Sequence, residues 1–557
     1  MITMSLKLQE LKWSFIMSTS DAAMSHSQAL LNRLEQLNKI GVALSAERDN
    51  DTLMEMILIG AKEITNADGG TLYTVTEDQR LRFEIMRTDS LKIAMGGTTG
   101  CEIPFPPLPL YGNDGTPNNS MVAANAALNG RTVNIEDAYE AEGFDFSGTR
   151  KFDLSTGYRS KSFLTIPMKN HEEEIIGVLQ LLNAMDQKTG RIVPFSPENQ
   201  RLVESLASQA AVALTNHNLI EGLKKLFESF IQIIAAAVDE KSPYTGGHCR
   251  RVPELAMMIA ESANRQQEGS FESFRMTDTE MDELRIAAWL HDCGKVTTPE
   301  YVVDKATKLE AIFDRIKLID QRFELLKAQA EVDMLRRQLQ QPSDAHETDW
   351  QAYCQQLDAD REFLRVANVG GEFMSPQHQA RVGQIAAYTL RDDNGQPVPF
   401  LSENEIYNLS IPRGTLTNEE RQIINNHITV TISMLESLPY PKNLQRVPEY
   451  AGGHHERMDG KGYPKGLTQE QLSIPARMMG IADIFEALTA CDRPYKKAKT
   501  LSESLFILGK MKQDNHIDAD LFDLFIRQKI YLQYAEKFLE PDQIGDVDHQ
   551  AIPGYTP

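Results

Sequence analysis

Strand-forming runs are confined to the first 183 residues of this 557-residue chain, and that asymmetry limits its fold more than any other feature. Segments 70–75, 81–87, 162–168 (SFLTIPM) and 175–183 (IIGVLQLLN) carry the apolar and β-branched residues of strands, the last two separated by the polar turn KNHEEE. Ahead of them, residues 28–66 place apolar side chains at helical spacing (Leu31, Leu34, Leu37, Ile40, then Leu53, Met56, Ile57, Ala61), with a break at Asp49–Asp51. Helical pattern resumes at Glu198 and runs nearly unbroken to Asp239. Beyond about 240 strand signals almost vanish. The expected architecture is an α+β domain followed by an all-α domain, with one helix leading from the first into the second.

Within the helical half, residues 309–339 repeat apolar positions three and four apart (Leu309, Ile312, Ile316, Ile319, Phe323, Leu326, Ala330) with charges between them, the pattern of a helical hairpin or coiled coil. Pro342 ends it, and Trp350, Tyr353, Leu357, Phe363 and Leu364 mark a second helix that folds back on the first. Residues 367–415, rich in Gly, Pro, Asn and Asp, read as a loop-dominated return.

Lys plus Arg is 57 and Asp plus Glu is 79, a net charge of −22. Such a chain repels nucleic-acid backbones and anionic membranes, so no nucleic-acid polymer is expected as a partner, and an anionic small substrate needs local cations or metals. Cys101, Cys249, Cys293, Cys354 and Cys491 are scattered without a CxxC pair, which fits free thiols in a reducing compartment. The opening stretch MITMSLKLQELKWSFIMSTS mixes Lys and Glu into its apolar positions and does not read as a signal peptide. FIQIIAAAV at 230–238 falls far short of the ~18 apolar residues of a membrane span. A cytoplasmic protein that does not enter a membrane is expected.

Histidines and carboxylates recur through the second half beside glycines. His248 lies in YTGGHCRRV, His291 and Asp292 in WLHDCGK, His427 in INNHITV, His454 and His455 in HHERMDGKGYP, and Asp483 in GIADIFEAL. Neutral imidazoles with carboxylates suit borderline divalent metals such as Fe, Mn, Co or Zn. Adjacent ligand pairs at helix ends direct two donors into one cavity, and a carboxylate between two cations holds them the ~3.5–4 Å apart that two-metal hydrolysis needs. A lone His-Asp pair is ordinary structure; the ordered set points to a site. Cys249 and Cys293, next to these residues, read as small buried apolar side chains.

In this order the motifs resemble the HD-GYP family, phosphodiesterases of the HD superfamily that hydrolyse cyclic di-GMP; the resemblance covers about 240–310 and 412–515. It implies an all-helical domain with two divalent metals, Fe or Mn. His248, His291, Asp292 and Asp483 would hold one, and Asp292 as bridge with His427, His454 and His455 the other. Lys295 would neutralise the phosphate and assist the leaving oxygen. Arg457, Asp459, Gly460, Gly462, Tyr463 and Pro464 would shape the substrate side, and Arg493 with Lys496 would bind phosphate or guanine. The chain departs from the family in three places. Tyr244 stands where third-metal members carry Glu, one extra residue precedes Arg493, and 311–411 interrupts the domain.

Residues 28–216 resemble a GAF domain, a small-molecule-sensing α+β fold, in particular those of cyclic-nucleotide phosphodiesterases and cyclases. Asn183 and Phe195 match that group's signature, whereas Ala184, Asn199 and Gln200 replace its charged members. A cyclic nucleotide or another small ligand is implied there. The expected order is an extension at 1–27, the GAF domain at 28–216, a connecting helix at 217–239, the catalytic domain at 240–540 with its insertion, and a tail at 541–557. A continuous connecting helix implies a parallel homodimer in which the GAF domain biases hydrolysis of cyclic di-GMP to pGpG and GMP. The rivals are hydrolysis of another cyclic nucleotide or dinucleotide, and a weakly catalytic cyclic di-GMP sensor acting on signalling proteins.

Overall fold

The expected strands pair, with shorter ones, into one eight-stranded sheet in the computed structural model, which describes residues 31–241, 247–371, 373–491 and 498–556. The strands are β1 (Ala67–Val75), β2 (Arg80–Thr88), β3 (Ile93–Gly96), β4 (Leu108–Pro109), β5 (Val133–Ile135), β6 (Phe163–Lys169), β7 (Ile175–Met185) and β8 (Ile192–Val193). They run in the order β3-β2-β1-β7-β6-β5, with β4 on β2 and β8 on β7, and every pairing is antiparallel. One face carries α1 (31–46), α2 (Asn50–Thr65) and the first turns of a later helix. There Leu37, Ile57, Leu58, Val203, Leu206 and Ala210 pack on Leu72, Ile166, Leu179 and Leu181. On the other face α3 (Val122–Asn129) sets Ala123, Ala124 and Ala127 against Tyr73 and Val178, and α4 (Ser147–Thr156) follows β5. Each fully buried aliphatic side chain here contributes about 1.5–3 kcal/mol.

Both residues that matched the cyclic-nucleotide GAF signature serve the scaffold. The Asn183 side chain accepts from the Lys161 amide at 2.7 Å and donates to the Arg159 carbonyl at 2.8 Å, stitching β7 to the approach of β6. Phe195 is buried in the sheet–helix core.

The chain divides into two compact units between Leu226 and Phe227, and α5 (Pro197–Glu240) runs through the division. The second unit is helical: α6 (His248–Asn264), α7 (Asp278–Leu290), α8 (Glu300–Val303), α9 (Ile316–Gln340), α10 (Asp344–Val369), α11 (Pro376–Ala386), α12 (Glu403–Leu409), α13 (Asn418–Glu436), α14 (Val447–Gly452), α15 (Ile474–Thr489), α16 (Leu501–Gln513), α17 (Ala519–Arg527) and α18 (Ile530–Phe538). Its main core joins α6, α7, α14, α15 and α16–α18 through Val252, Leu255, Leu284, Met478, Phe485, Leu505, Phe522 and Phe525. Thr277 with Glu280 and Thr417 with Glu420 form capping boxes that start α7 and α13.

The interrupting segment has a core of its own. Helices α9 and α10 form the expected hairpin, although it starts at Ile316, and Ile312 is 97% exposed. The segment 367–415 is not mainly loop, as it had read. It holds α11, α12 and an antiparallel ribbon of β9 (Thr389–Arg391) and β10 (Pro397–Pro399), strands where none was expected. Phe323, Leu326, Leu357 and Leu364 of the hairpin close over Val382, Ile385, Phe400 and Leu409. Lys305, its ammonium 2.7 Å from Glu420 and 2.9 Å from Asn408, ties the start of the segment to α12 and α13.

Candidate metal centre

Each metal-ligand candidate sits where a helix begins, ends or touches a neighbour. His248 opens α6, and His291 closes α7. Asp292 leads into a 3-10 turn, Cys293–Thr297, against which α13 packs with His427. His454 and His455 follow α14, and Asp483 lies on α15 beside α6. His291, Asp292, His427 and His454 are buried almost completely, while the Asp483 side chain retains 15% of its surface and Lys295 28%.

The backbone decides which nitrogen each imidazole turns inward. His291 Nδ1 donates to the Ala288 carbonyl (2.7 Å), His427 Nδ1 to Ile424 (2.6 Å) and His454 Nδ1 to Ala451 (2.6 Å), each to the carbonyl three residues back. A carbonyl only accepts, so each of these rings carries its proton on Nδ1 and turns Nε2 to the centre. His248 Nδ1 is held in the same way by the Glu486 carboxylate. Nε2 of His248 lies 3.3 Å from Asp292 Oδ2, 3.2 Å from Asp483 Oδ1 and 3.2 Å from His291 Nε2. On the other side, His427 Nε2 lies 3.2 Å from Asp292 Oδ1 and 3.3 Å from His455 Nε2. Asp292 Oδ1 and His454 Nε2 are buried and meet no hydrogen-bond donor among the described residues.

Acceptors this close repel one another, and leaving buried polar atoms unmatched costs about 1–3 kcal/mol each. Cations resolve both problems. The donors fall into groups that can hold a metal: His248, His291 and Asp483; His291, Asp292 and His454; and His427, His454 and His455. Asp292 offers one oxygen to each side. The residues present therefore fit two divalent ions.

The charges agree. Burial holds His454 well below its ordinary value and pushes His455 down to about 4, so both stay neutral. Burial works against the Asp292 anion, yet Lys295 and His291 hold its carboxyl well below the usual range. Asp483 is likewise kept anionic against burial by His248 and His291. Lys295 Nζ is 2.5 Å from Asp292 Oδ2, and Asp292 and Asp483 keep it charged in spite of burial.

HHERMDGKGYP forms a loop locked to itself. Arg457 makes two 3.0 Å bonds to the Asp459 carboxylate and a 3.2 Å bond to the Asp514 carbonyl. The Glu456 carboxylate accepts from the Lys465 and Leu467 amides at 2.7 and 2.9 Å. A Cβ on Gly462 would lie 2.4 Å from the Arg457 nitrogen and 2.5 Å from Glu456 Cα, so only glycine passes there. Gly460 has a positive φ of 75°, and Pro464 follows a cis peptide bond. Of this loop, Tyr463 reaches the ligand set: its ring stacks on His455 with centroids 4.8 Å apart. Tyr244, Arg493 and Lys496 lie outside the described residues.

Glu486 escaped the reading of the sequence. Its carboxylate is almost fully buried between His248 Nδ1 and Arg251, whose Nε is 2.7 Å away. A legible signal was its spacing, since a carboxylate one helical turn past Asp483 shares its face of α15. Glu486→Gln keeps the shape and removes the charge that orients His248. Affinity for the first metal equivalent should fall about 10–100-fold, read by titrating metal-free protein with Mn²⁺; unchanged affinity would contradict that role.

Comparison with known proteins adds family. A GAF domain model matches residues 49–214, and HD domain models match 245–367 and 403–521, which between them contain every metal-ligand candidate. A 3'3'-cGAMP-specific phosphodiesterase 1 of Vibrio cholerae is 36% identical over 114 residues, 20% of this chain and 26% of that protein. A cyclic di-GMP phosphodiesterase of Thermotoga maritima is 30% identical over 214 residues, 35% of this chain and 56% of that one. A 3'3'-cGAMP-specific phosphodiesterase 3 of Vibrio cholerae is 25% identical over 344 residues, 60% of this chain and 48% of that one. The matches thus span between 26% and 56% of these relatives' lengths. The chain thus carries a GAF domain followed by HD domains, an organisation consistent with the HD-GYP type.

Proposed function

We propose that the helical unit is a two-metal phosphodiesterase that opens cyclic di-GMP to linear pGpG, and onward to GMP, under the control of the GAF domain. One observation carries this reading: the Nε2 atoms of buried imidazoles converge on both oxygens of Asp292. His248, His291, Asp292 and Asp483 would hold one ion, and Asp292, His427, His454 and His455 the other, with Fe or Mn suited to this mixture of nitrogen and oxygen donors. Bound there, such ions supply Lewis acidity toward a phosphodiester and lower the pKa of water.

The protein's own groups do the rest. Lys295, charged and on the accessible side of Asp292, places a proton and a positive charge where the leaving oxygen develops its own negative charge. Tyr463 stacks on the His455 ring and fixes its orientation. Arg457 and Asp459 act by fixing the loop that carries Tyr463, and Arg493 and Lys496 are the phosphate or guanine contacts in this reading.

The relatives' names support cyclic dinucleotides as the substrate class and favour a second reading, hydrolysis of 3'3'-cGAMP. Incubating metal-loaded protein with a panel of cyclic dinucleotides distinguishes them. Preferred turnover of cyclic di-GMP is expected; preferred turnover of 3'3'-cGAMP selects the second reading, and binding without turnover of any refutes the enzyme.

No helix among the described residues is long and apolar enough to cross a membrane, and the proposed setting is the cytoplasm. Regulation rests on α5. Leu219, Leu223, Leu226, Phe230 and Ile233, spaced four and three apart, are 55%, 64%, 52%, 56% and 63% exposed. Such a stripe suits the heptad seam of a second copy of the same helix and supports the reading of a parallel homodimer driven by a small ligand in the GAF domain. Leu223→Glu with Phe230→Glu should yield monomers in light scattering and change the rate at saturating substrate. A folded monomer with an unchanged rate would remove dimer-based control.

A further inference from the structure

The last turn of α5 and the residue that follows it touch both walls of the metal centre. Its apolar face is fixed first: Ile231 joins the main core, and Ala235 and Val238 pack with Cys249 and Trp289. Beyond that anchor, the two oxygens of the Asp239 carboxylate take one amide each, Oδ2 from Gly247 at 3.1 Å and Oδ1 from Cys249 at 3.3 Å. These amides flank His248, in the first turn of α6, where amides lack intrahelical partners. Lys241, two residues on, donates from Nζ to the Lys295 carbonyl at 3.2 Å and to the Val296 carbonyl. Those carbonyls belong to the 3-10 turn that follows Asp292.

We propose that Asp239 and Lys241 form a clasp that sets the distance between His248 and the Asp292–Lys295 turn, and that through it the position of α5 is imposed on the metal-ligand set. Both are positioning residues, acting through backbone groups beside the ligands. The inference rests on the metal reading of the His–Asp cluster and adds to it the route by which the connecting helix acts. His248 and Asp292 face each other across 3.3 Å. Asp239 grips the element carrying the first, and Lys241 the element carrying the second. A shift of α5 along its axis or about it moves both grips together, because Val238 locks that turn to α6. Neither grip is visible as periodicity, for each is a polar contact made where a helix ends.

The test uses the full-length chain, made metal-free and titrated with Mn²⁺ by calorimetry. Asp239→Ala and Lys241→Met should each weaken the tighter Mn²⁺ equivalent about tenfold, in the range by which groups behind metal ligands act. Lys241→Arg, which keeps a cationic donor, should recover most of that loss. Val238→Ala supplies the structural control: it loosens the same turn, and should lower the melting temperature while leaving Mn²⁺ affinity within twofold. If Asp239→Ala fails to fold, Asp239→Asn decides in its place, since it retains the shape and one acceptor and should give an intermediate loss. Unchanged affinity in the folded Asp239 and Lys241 variants overturns the clasp and leaves the metal reading standing. An equal loss in Val238→Ala also overturns it, because the effect is then general loosening. An unmodified chain that takes up no Mn²⁺ overturns the metal reading and the clasp with it.

Discussion

Asp292→Ala is expected to remove both metals together and to reduce turnover of a cyclic dinucleotide by three orders of magnitude or more, about 4 kcal/mol of transition-state stabilisation. The expectation follows from how the carboxylate is divided. Oδ2 faces His248 and His291, each at 3.3 Å, and Oδ1 faces His427 at 3.2 Å. No other carboxylate among the described candidate groups reaches toward both sides; Asp483 groups with His248 and His291 only. Truncation therefore leaves imidazoles on either side with too little negative charge to hold a dication. It also strips Lys295 of its 2.5 Å partner, so the cation proposed for the leaving oxygen loses its placement. Elemental analysis of protein purified without oxygen should return no bound metal; retention of one full equivalent would contradict a shared ligand. His427→Ala gives the contrast, since it should remove one equivalent and leave the group around His248 able to bind.

The ligand set was legible in the sequence because its members sit in short runs, His-Asp-x-Gly-Lys and His-His-Glu, whose residue types have few other reasons to stand together. The helical half was legible for a different reason: beyond about 240 strand signals almost vanish. What resisted reading were contacts between elements. Glu486 shares a face of α15 with Asp483, but its role shows only once His248 and Arg251 are seen on either side of it. Asp239 and Lys241 read as the polar end of a helix. In 367–415 the density of Gly, Pro, Asn and Asp suggested loop, yet local signals for order were present. Ser375 followed by Pro376 starts α11, and Ser402 with Glu405 forms a capping box for α12. The ribbon turns at 392–396, where the Asp392 side chain accepts from the Asn394 and Gln396 amides. Composition averaged over fifty residues concealed these signals, and tertiary packing on the hairpin completed them.

Gly294 leads to the second large effect, although it offers no donor atom of its own. The glycine lies in the 3-10 turn, and a Cβ there would stand 2.1 Å from the His427 carbonyl oxygen, 2.6 Å from the Thr431 amide nitrogen and 2.7 Å from Thr431 Oγ1. The first two are backbone atoms of α13, so no side chain can rotate away; helix and turn must part by more than an ångström. The Gly294 amide would also lose its 2.9 Å bond to Thr431 Oγ1. Gly294→Ala should therefore cost about 1–3 kcal/mol of stability through overpacking, and its functional cost should be larger than that figure suggests. Helix α13 carries His427, and moving it away from the turn widens the 3.2 Å approach to Asp292 Oδ1, while His248, His291 and Asp483 lie on other elements. The expected result is a folded protein that keeps the metal on the His248 side, loses the one on the His427 side, and hydrolyses at least a hundredfold more slowly. That pattern separates it from Asp292→Ala, which should lose both metals. Titration to two undiminished equivalents in Gly294→Ala would mean that α13 can yield without moving His427, and the turn-to-helix contact would then have no part in building the second site.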